Sequence, residues 1–219
     1  MDNPLLNEFN TPFDTAPFSK IKNQHFQPAI EELIKMAKEE IDQITANENA
    51  PTFENTLEAL EFSGERLSRI TSLFFNLNSA ETNEEIQRIA QTVSPLLTEF
   101  SNDVRLNEEL FRRIESVFKE REKLDLNAEQ RMLLEKNYKA FVRNGAKLDP
   151  KSKEKLREID KELSQLSLKF GEHVLAETNS FEMILTDESD LDGLPEGTRE
   201  AARMMANERG HEGWLFTLD

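Results

Sequence analysis

The sequence predicts a predominantly all-α protein: a helical bundle of about five long helices, followed by a small strand-helix-strand segment at the C-terminal end. Three observations carry this. Seven glycines and eight prolines in 219 residues leave few positions that interrupt a helix. Charged residues make up 32% against 37% hydrophobic, the profile of amphipathic helices that bury one face. Apolar residues recur three and four apart over most of the chain and alternate two apart only after Thr178.

The first two dozen residues hold Pro4, Pro12 and Pro17 with Phe9, Phe13 and Phe18 and show no helical period, so an extended, partly buried arm is expected. The first helix begins near Pro28, whose fixed φ suits a first turn, and carries Ile30, Leu33, Ile34, Ala37, Ile41 and Ile44 on one stripe. A second helix follows Pro51. Thr52 is its N-cap, and Leu57, Leu60, Leu67, Ile70, Phe74 and Leu77 form its buried face over about seven turns. The third starts at Thr82-Asn83-Glu84-Glu85, where Thr82 and Glu85 are spaced to cap each other's backbone N–H groups. Pro95 is expected to kink it.

Leu110, Ile114, Val117 and Phe118 mark its continuation or a separate helix. The fourth helix carries Leu133, Leu134, Tyr138, Phe141 and Val142 and stops at Asn144-Gly145, residues suited to a left-handed C-terminal cap. The fifth opens at Asp149-Pro150. Its Leu156, Ile159, Leu163, Leu166, Phe170 and Val174 make a seam suited to packing along a neighbouring helix. Beyond Thr178, Phe181, Met183 and Leu185 recur two apart, as do Trp214, Phe216 and Leu218, giving two candidate strands around a short helix that ends at Gly210. The second strand runs to Asp219, so the chain is expected to be cut inside a structural element, leaving an edge that pairs with another copy or frays.

Charge narrows the partners. Forty-three Asp and Glu against 27 Lys and Arg give a net charge of −16, with both signs interspersed, which disfavours nucleic acid. No apolar run is long enough for a bilayer, and Met1-Asp2-Asn3-Pro4 does not open like a signal peptide. A soluble, cytoplasmic chain with no membrane partner is expected, with the periplasm left open in case a leader was removed. The absence of cysteine excludes disulfides and thiolate ligands.

Catalytic patterns are absent from the sequence. His25, His173 and His211 are far apart in the chain. His211-Glu212-Gly213-Trp214-Leu215 begins like a His-Glu-x-x-His zinc motif but has Leu where the second imidazole must stand. There is no Gly-x-Ser-x-Gly elbow and no phosphate loop; Ser63-Gly64-Glu65 and Leu191-Asp192-Gly193-Leu194 read as turns or close packing. Arg66, Arg69, Arg112, Arg113 and the lysines from Lys151 to Lys161 are balanced by nearby acids, which predicts salt bridges along helix faces. No catalytic, cofactor-binding or metal-binding residue is therefore assigned, and the chain alone is expected to bind no stoichiometric zinc.

Residue spelling adds a resemblance. Asn3-Pro4-Leu5-Leu6, Pro17-Phe18-Ser19-Lys20-Ile21-Lys22 and His25-Phe26-x-Pro28-Ala29 resemble the opening of bacterial peptidyl-dipeptidases of the thimet oligopeptidase family of zinc metallopeptidases. Pro51-Thr52-Phe53-Glu54-Asn55-Thr56, the stretch Phe141-Val142-Arg143-Asn144-Gly145-Ala146-Lys147-Leu148, and Leu163-Ser164-x-Leu166-x-x-x-Phe170 through Val174-Leu175 are similar to later family landmarks in the same order. So are Leu191-x-Gly193-Leu194-Pro195-Glu196 and Gly213-Trp214-Leu215-Phe216-Thr217-Leu218-Asp219.

The resemblance implies an almost entirely helical enzyme with two lobes flanking a deep channel, and a His-Glu-x-x-His helix with a downstream Glu holding one zinc. That motif does not occur in these 219 residues. By resemblance, residues 1–178 are a helical wall or lid of the channel, and residues 179–219 begin the catalytic lobe. The full-length parent would be a zinc-dependent peptidase that hydrolyses short peptides, releasing C-terminal dipeptides. This chain would shape the channel, be inactive alone, and have short peptides and its own C-terminal lobe as partners. The alternative is a non-enzymatic helical scaffold or interaction module.

Overall fold

The structure is a computed structural model, and it describes residues 3–218. Helices dominate: α1 (Phe26–Thr45), α2 (Ala59–Phe62), α3 (Glu65–Ala80), α4 (Glu84–Arg105), α5 (Glu108–Lys119), α6 (Ala128–Arg143), α7 (Pro150–Ser180) and α8 (Glu196–Glu208). Two short strands, β1 (Met183–Leu185) and β2 (Trp214–Phe216), flank α8. No helix among the described residues is long and apolar enough to cross a membrane. The chain divides into two compact units, residues 1–165 and 166–219.

In the first unit α1 is the central element. Its three-and-four spacing buries Phe26, Ala29, Ile30, Leu33, Ile34, Ala37, Ile41 and Ile44, and it packs on α3, α4 and α5. Each large aliphatic side chain so buried contributes roughly 1.5–3 kcal/mol. Phe26 and Phe74 meet at 5.2 Å between ring centres. A second apolar layer joins α1 to α5 and α6 through Ile44, Leu57, Leu110, Ile114, Leu134 and Phe141. Phe118 lies parallel on Tyr138 at 3.9 Å.

The predicted second helix is two pieces. Thr52 caps its start by accepting the Asn55 N–H, and a wide turn over Phe53–Glu58 leads into α2. The chain then breaks at Ser63-Gly64 before α3, with Gly64 at φ +68°, where an L side chain is disfavoured. Leu60 and Leu67 keep a seven-residue spacing across this break, so the periodicity hides it. Capping of α4 also differs from expectation. Asn83, not Thr82, accepts the N–H groups of Glu85 and Ile86, each at 3.0 Å, and the buried Thr82 hydroxyl has no partner. The helix then runs unbroken through Pro95.

Asn107 and Asn127 cap α5 and α6, making α5 a separate helix. Gly145 takes the expected left-handed conformation after α6, at φ +95°. A Cβ there would stand 2.8 Å from Leu148 Cδ1 and 2.9 Å from Leu156 Cδ2. The arm is made of three 3-10 turns rather than being fully extended. Leu5 and Phe9 are buried in it, while Phe13 is 98% exposed.

In the second unit β1 and β2 pair antiparallel with Ile184 opposite Leu215, and α8 packs on β2. The two strands therefore pair with each other, and β2 is not left without a partner. In β2 Leu215 is 1% exposed, while Trp214 and Phe216 are half-buried. Leu191, Ala202 and Ala206 are buried in this unit as well. Gly213 permits the close pairing, since a Cβ there would lie 2.2 Å from the Leu185 carbonyl oxygen.

Candidate interaction surface

The long helix α7 starts on polar contacts. Asp149 accepts the backbone N–H groups of Lys151 and Ser152, which opens the helix. Lys153 then donates to the Glu108 carboxylate at 2.9 Å and to the Leu106 carbonyl at 3.3 Å. One turn on, Arg157 donates to Asp103 at 2.7 Å, and Lys38 of α1 reaches the other oxygen of the same carboxylate, also at 2.7 Å. Partial burial pushes the Asp103 carboxyl up, but the hydrogen bonds and charges of Lys38 and Arg157 outweigh it and hold it below its usual value. The Lys151-to-Lys161 stretch thus fastens α7 to neighbouring elements instead of forming only pairs along its own face.

After these first two turns the helix shows an apolar stripe. Ile159, Leu163, Leu166, Phe170 and Val174 follow one another at intervals of four, three, four and four, and are 43% or more exposed, with Phe170 at 71%. The predicted seam therefore exists as a pattern but is not packed along a neighbouring helix. Lys153 is the one buried residue of all 31 in α7.

Three other arginine assignments change. Arg112 pairs with Glu109 along α5 as predicted. Arg113 instead is 3% exposed; it donates to the Asn47 and Asn49 carbonyls and to Asn55 Oδ1, and its Nε has no partner. It ties the loop after α1 to the cap at Thr52-Asn55, because Asn55 Oδ1 also accepts the Thr52 N–H. Arg66 and Arg69 hold the arm: Arg66 donates to the Leu6 carbonyl, Arg69 to the Asp14 carbonyl, and Arg69 lies 4.4 Å over the Phe9 ring. A one-dimensional reading sees only that each arginine has an acid nearby in sequence. The asparagines at 47, 49 and 55 were the available hint for Arg113, as carbonyl-rich loop residues next to a cap.

The three histidines stand on separate elements. His25 Nδ1 accepts the Lys22 N–H in the arm, His173 lies on α7, and His211 faces Glu182 at 3.6 Å beside the β1–β2 pair. His211-Glu212-Gly213 leads into β2 and is not on a helix. Among the described residues no group of three or more His, Asp or Glu side chains is placed to hold a metal ion. The residues of this chain do not fit the zinc that the resemblance implies for a whole enzyme, and no step of hydrolysis is derived from them.

No protein-family profile matches the chain. It is 38% identical over 217 residues, 99% of its length, to the dipeptidyl carboxypeptidase of Escherichia coli (strain K12). It is 33% identical over 219 residues to the oligopeptidase A of Haemophilus influenzae, and 27% identical over 224 aligned residues to a probable cytosolic oligopeptidase A of Arabidopsis thaliana. The chain spans about a third of the length of these relatives: 32%, 31% and 31%.

Proposed function

We propose, from the premise that this chain is homologous along its whole length to dipeptidyl carboxypeptidases and oligopeptidases A, that it serves as the helical, non-catalytic part of a longer peptidase of the thimet oligopeptidase family. The observation that carries this is the end-to-end match to relatives about three times as long, all named as peptidases. In that role the chain walls the channel through which short peptides reach a zinc centre held by another part of the polypeptide. Residues 1–178 supply the wall, and residues 179–219 begin the catalytic lobe. The reaction of the whole enzyme is release of C-terminal dipeptides, because the E. coli and Salmonella typhimurium relatives at 38% and 36% identity bear that name. A cytoplasmic site of action fits the same reading.

The absence of a His-Glu-x-x-His pair from the sequence supports an inactive chain. A single polypeptide in which this chain replaces the homologous third of the E. coli dipeptidyl carboxypeptidase tests the proposal. It should release dipeptides from a blocked tetrapeptide in a chelator-sensitive way, whereas the chain alone should release none. Hydrolysis by the chain alone, or a folded but inactive long polypeptide, would overturn it.

A further inference from the structure

We infer that the face of α7 formed by Leu166, Phe170 and Val174 is a docking surface for an apolar segment of the same polypeptide, drawn from the part that the relatives possess beyond the match. The identity of this partner rests on the peptidase reading above. The three side chains are 51%, 71% and 48% exposed. At intervals of four residues they lie on one side of the helix. With Leu175 beside it and Ser167, Lys169, Glu172 and His173 between, the stripe has the form of one side of a helix-in-groove or helix-on-helix contact.

Two occupants compete for such a stripe, and physical arguments separate them. A second copy would bring together two chains of net charge −16, which repel. The exposed stripe, even from Ile159 to Val174, also spans little more than two heptads, short of the three or four that sustain a free-standing coiled coil. A segment of the same polypeptide meets neither obstacle, because tethering gives it a high effective concentration and lets a small contact suffice. The relatives have the length for such a segment. Their similarity to this chain covers 99–100% of it, α7 included, while about two thirds of their own length lies outside the match.

The test uses the same long polypeptide, with this chain in place of the homologous third of the E. coli enzyme, beside the chain alone. Leu166→Asp with Phe170→Asp is made in both. Lys161→Ser, on the opposite side of α7 because nine residues turn a helix through about 180°, is the control. Amide exchange over residues 163–176 and the melting temperature are read. In the chain alone these amides should exchange fast, and the double substitution should leave melting unchanged. In the long polypeptide they should be protected; the double substitution should remove that protection and lower melting by several degrees, and the control should do neither.

Amides that stay unprotected in the long polypeptide, or protection that survives the double substitution, overturn the docking, as does a long polypeptide with no cooperative melt. A monomer–dimer equilibrium of the chain alone that the same pair abolishes overturns it in favour of a second copy. Peptide hydrolysis is recorded separately. Protected amides without hydrolysis sink the peptidase reading and leave the docking; hydrolysis with unprotected amides does the reverse.

Discussion

Arg113 sits almost wholly out of water with its donors aimed at neutral oxygens of Asn47, Asn49 and Asn55. Replacing it by Leu removes these hydrogen bonds from a charged donor, each worth about 1.5–3 kcal/mol where it is shielded from water, although Asn55 Oδ1 keeps the Thr52 N–H and Asn49 stays exposed to water. Arg113→Leu should therefore destabilise the first unit by about 2–4 kcal/mol and expose the loop after α1 to protease, whereas Arg112→Leu should change stability by less than about 0.5 kcal/mol. Urea melts with limited proteolysis check both. Asp103 gives a pH signature. Its folded-state value lies below the usual carboxylate range, so its contribution is present above the unfolded pKa of about 3.9 and is lost as pH falls through the lower folded value. Asp103→Asn should cost about 1 kcal/mol at pH 7, in keeping with half-exposed ion pairs, and should flatten the loss of stability below about pH 4. Equal acid sensitivity in the wild type and the variant would rule this out.

Among the elements, what could be read from sequence was whatever repeats. The stripe of α1, the caps at Thr52 and Asn127 with its Gln130 partner, the stop at Gly145 and the strand-helix-strand order all follow from local chemistry, and of these all but the Asn127 cap were legible in advance. The break at Gly64 was not, because the seven-residue step from Leu60 to Leu67 keeps the phase that a continuous helix would have. Periodicity was equally silent on which stripe finds cover. Phe74 and Phe170 stand at comparable positions in their patterns, yet Phe74 is 0% exposed and Phe170 is 71% exposed. Phe74→Ala should cost about 3–5 kcal/mol, since it empties a site between Phe26 and Phe75. Phe170→Ala should stay within about 0.5 kcal/mol in the chain alone. The inner side of β2 is a similar case: alternation fixes which residues share a side, but only the packing of α8 on β2 decides which side is inner, and Leu215 is the buried one.

At the level of the whole molecule the candidate site was legible only as a pattern without a partner. The sequence contains no catalytic signature, and the structure adds an exposed stripe whose meaning comes from relatives three times as long. The second unit, residues 166–219, rests on a few buried side chains, among them Leu191, Ala202, Ala206 and Leu215. A unit of this size buries a smaller fraction of its surface than a larger domain does. Amide exchange should therefore be faster throughout β1, α8 and β2 than in α1 and α4; equal protection would show an independently robust second unit.

With Lys153 its single buried residue, α7 also predicts an unusual calorimetric record. Heat-capacity change on unfolding tracks newly wetted apolar surface, and the exposed turns of α7 have little left to wet. Their loss should contribute almost nothing to a calorimeter trace and a good deal to far-ultraviolet ellipticity, as it does in peptides whose helices persist by local propensity. On warming, ellipticity should decline steadily well before the heat-absorption peak of the α1-centred bundle, so that the optical and thermal midpoints of this chain part company.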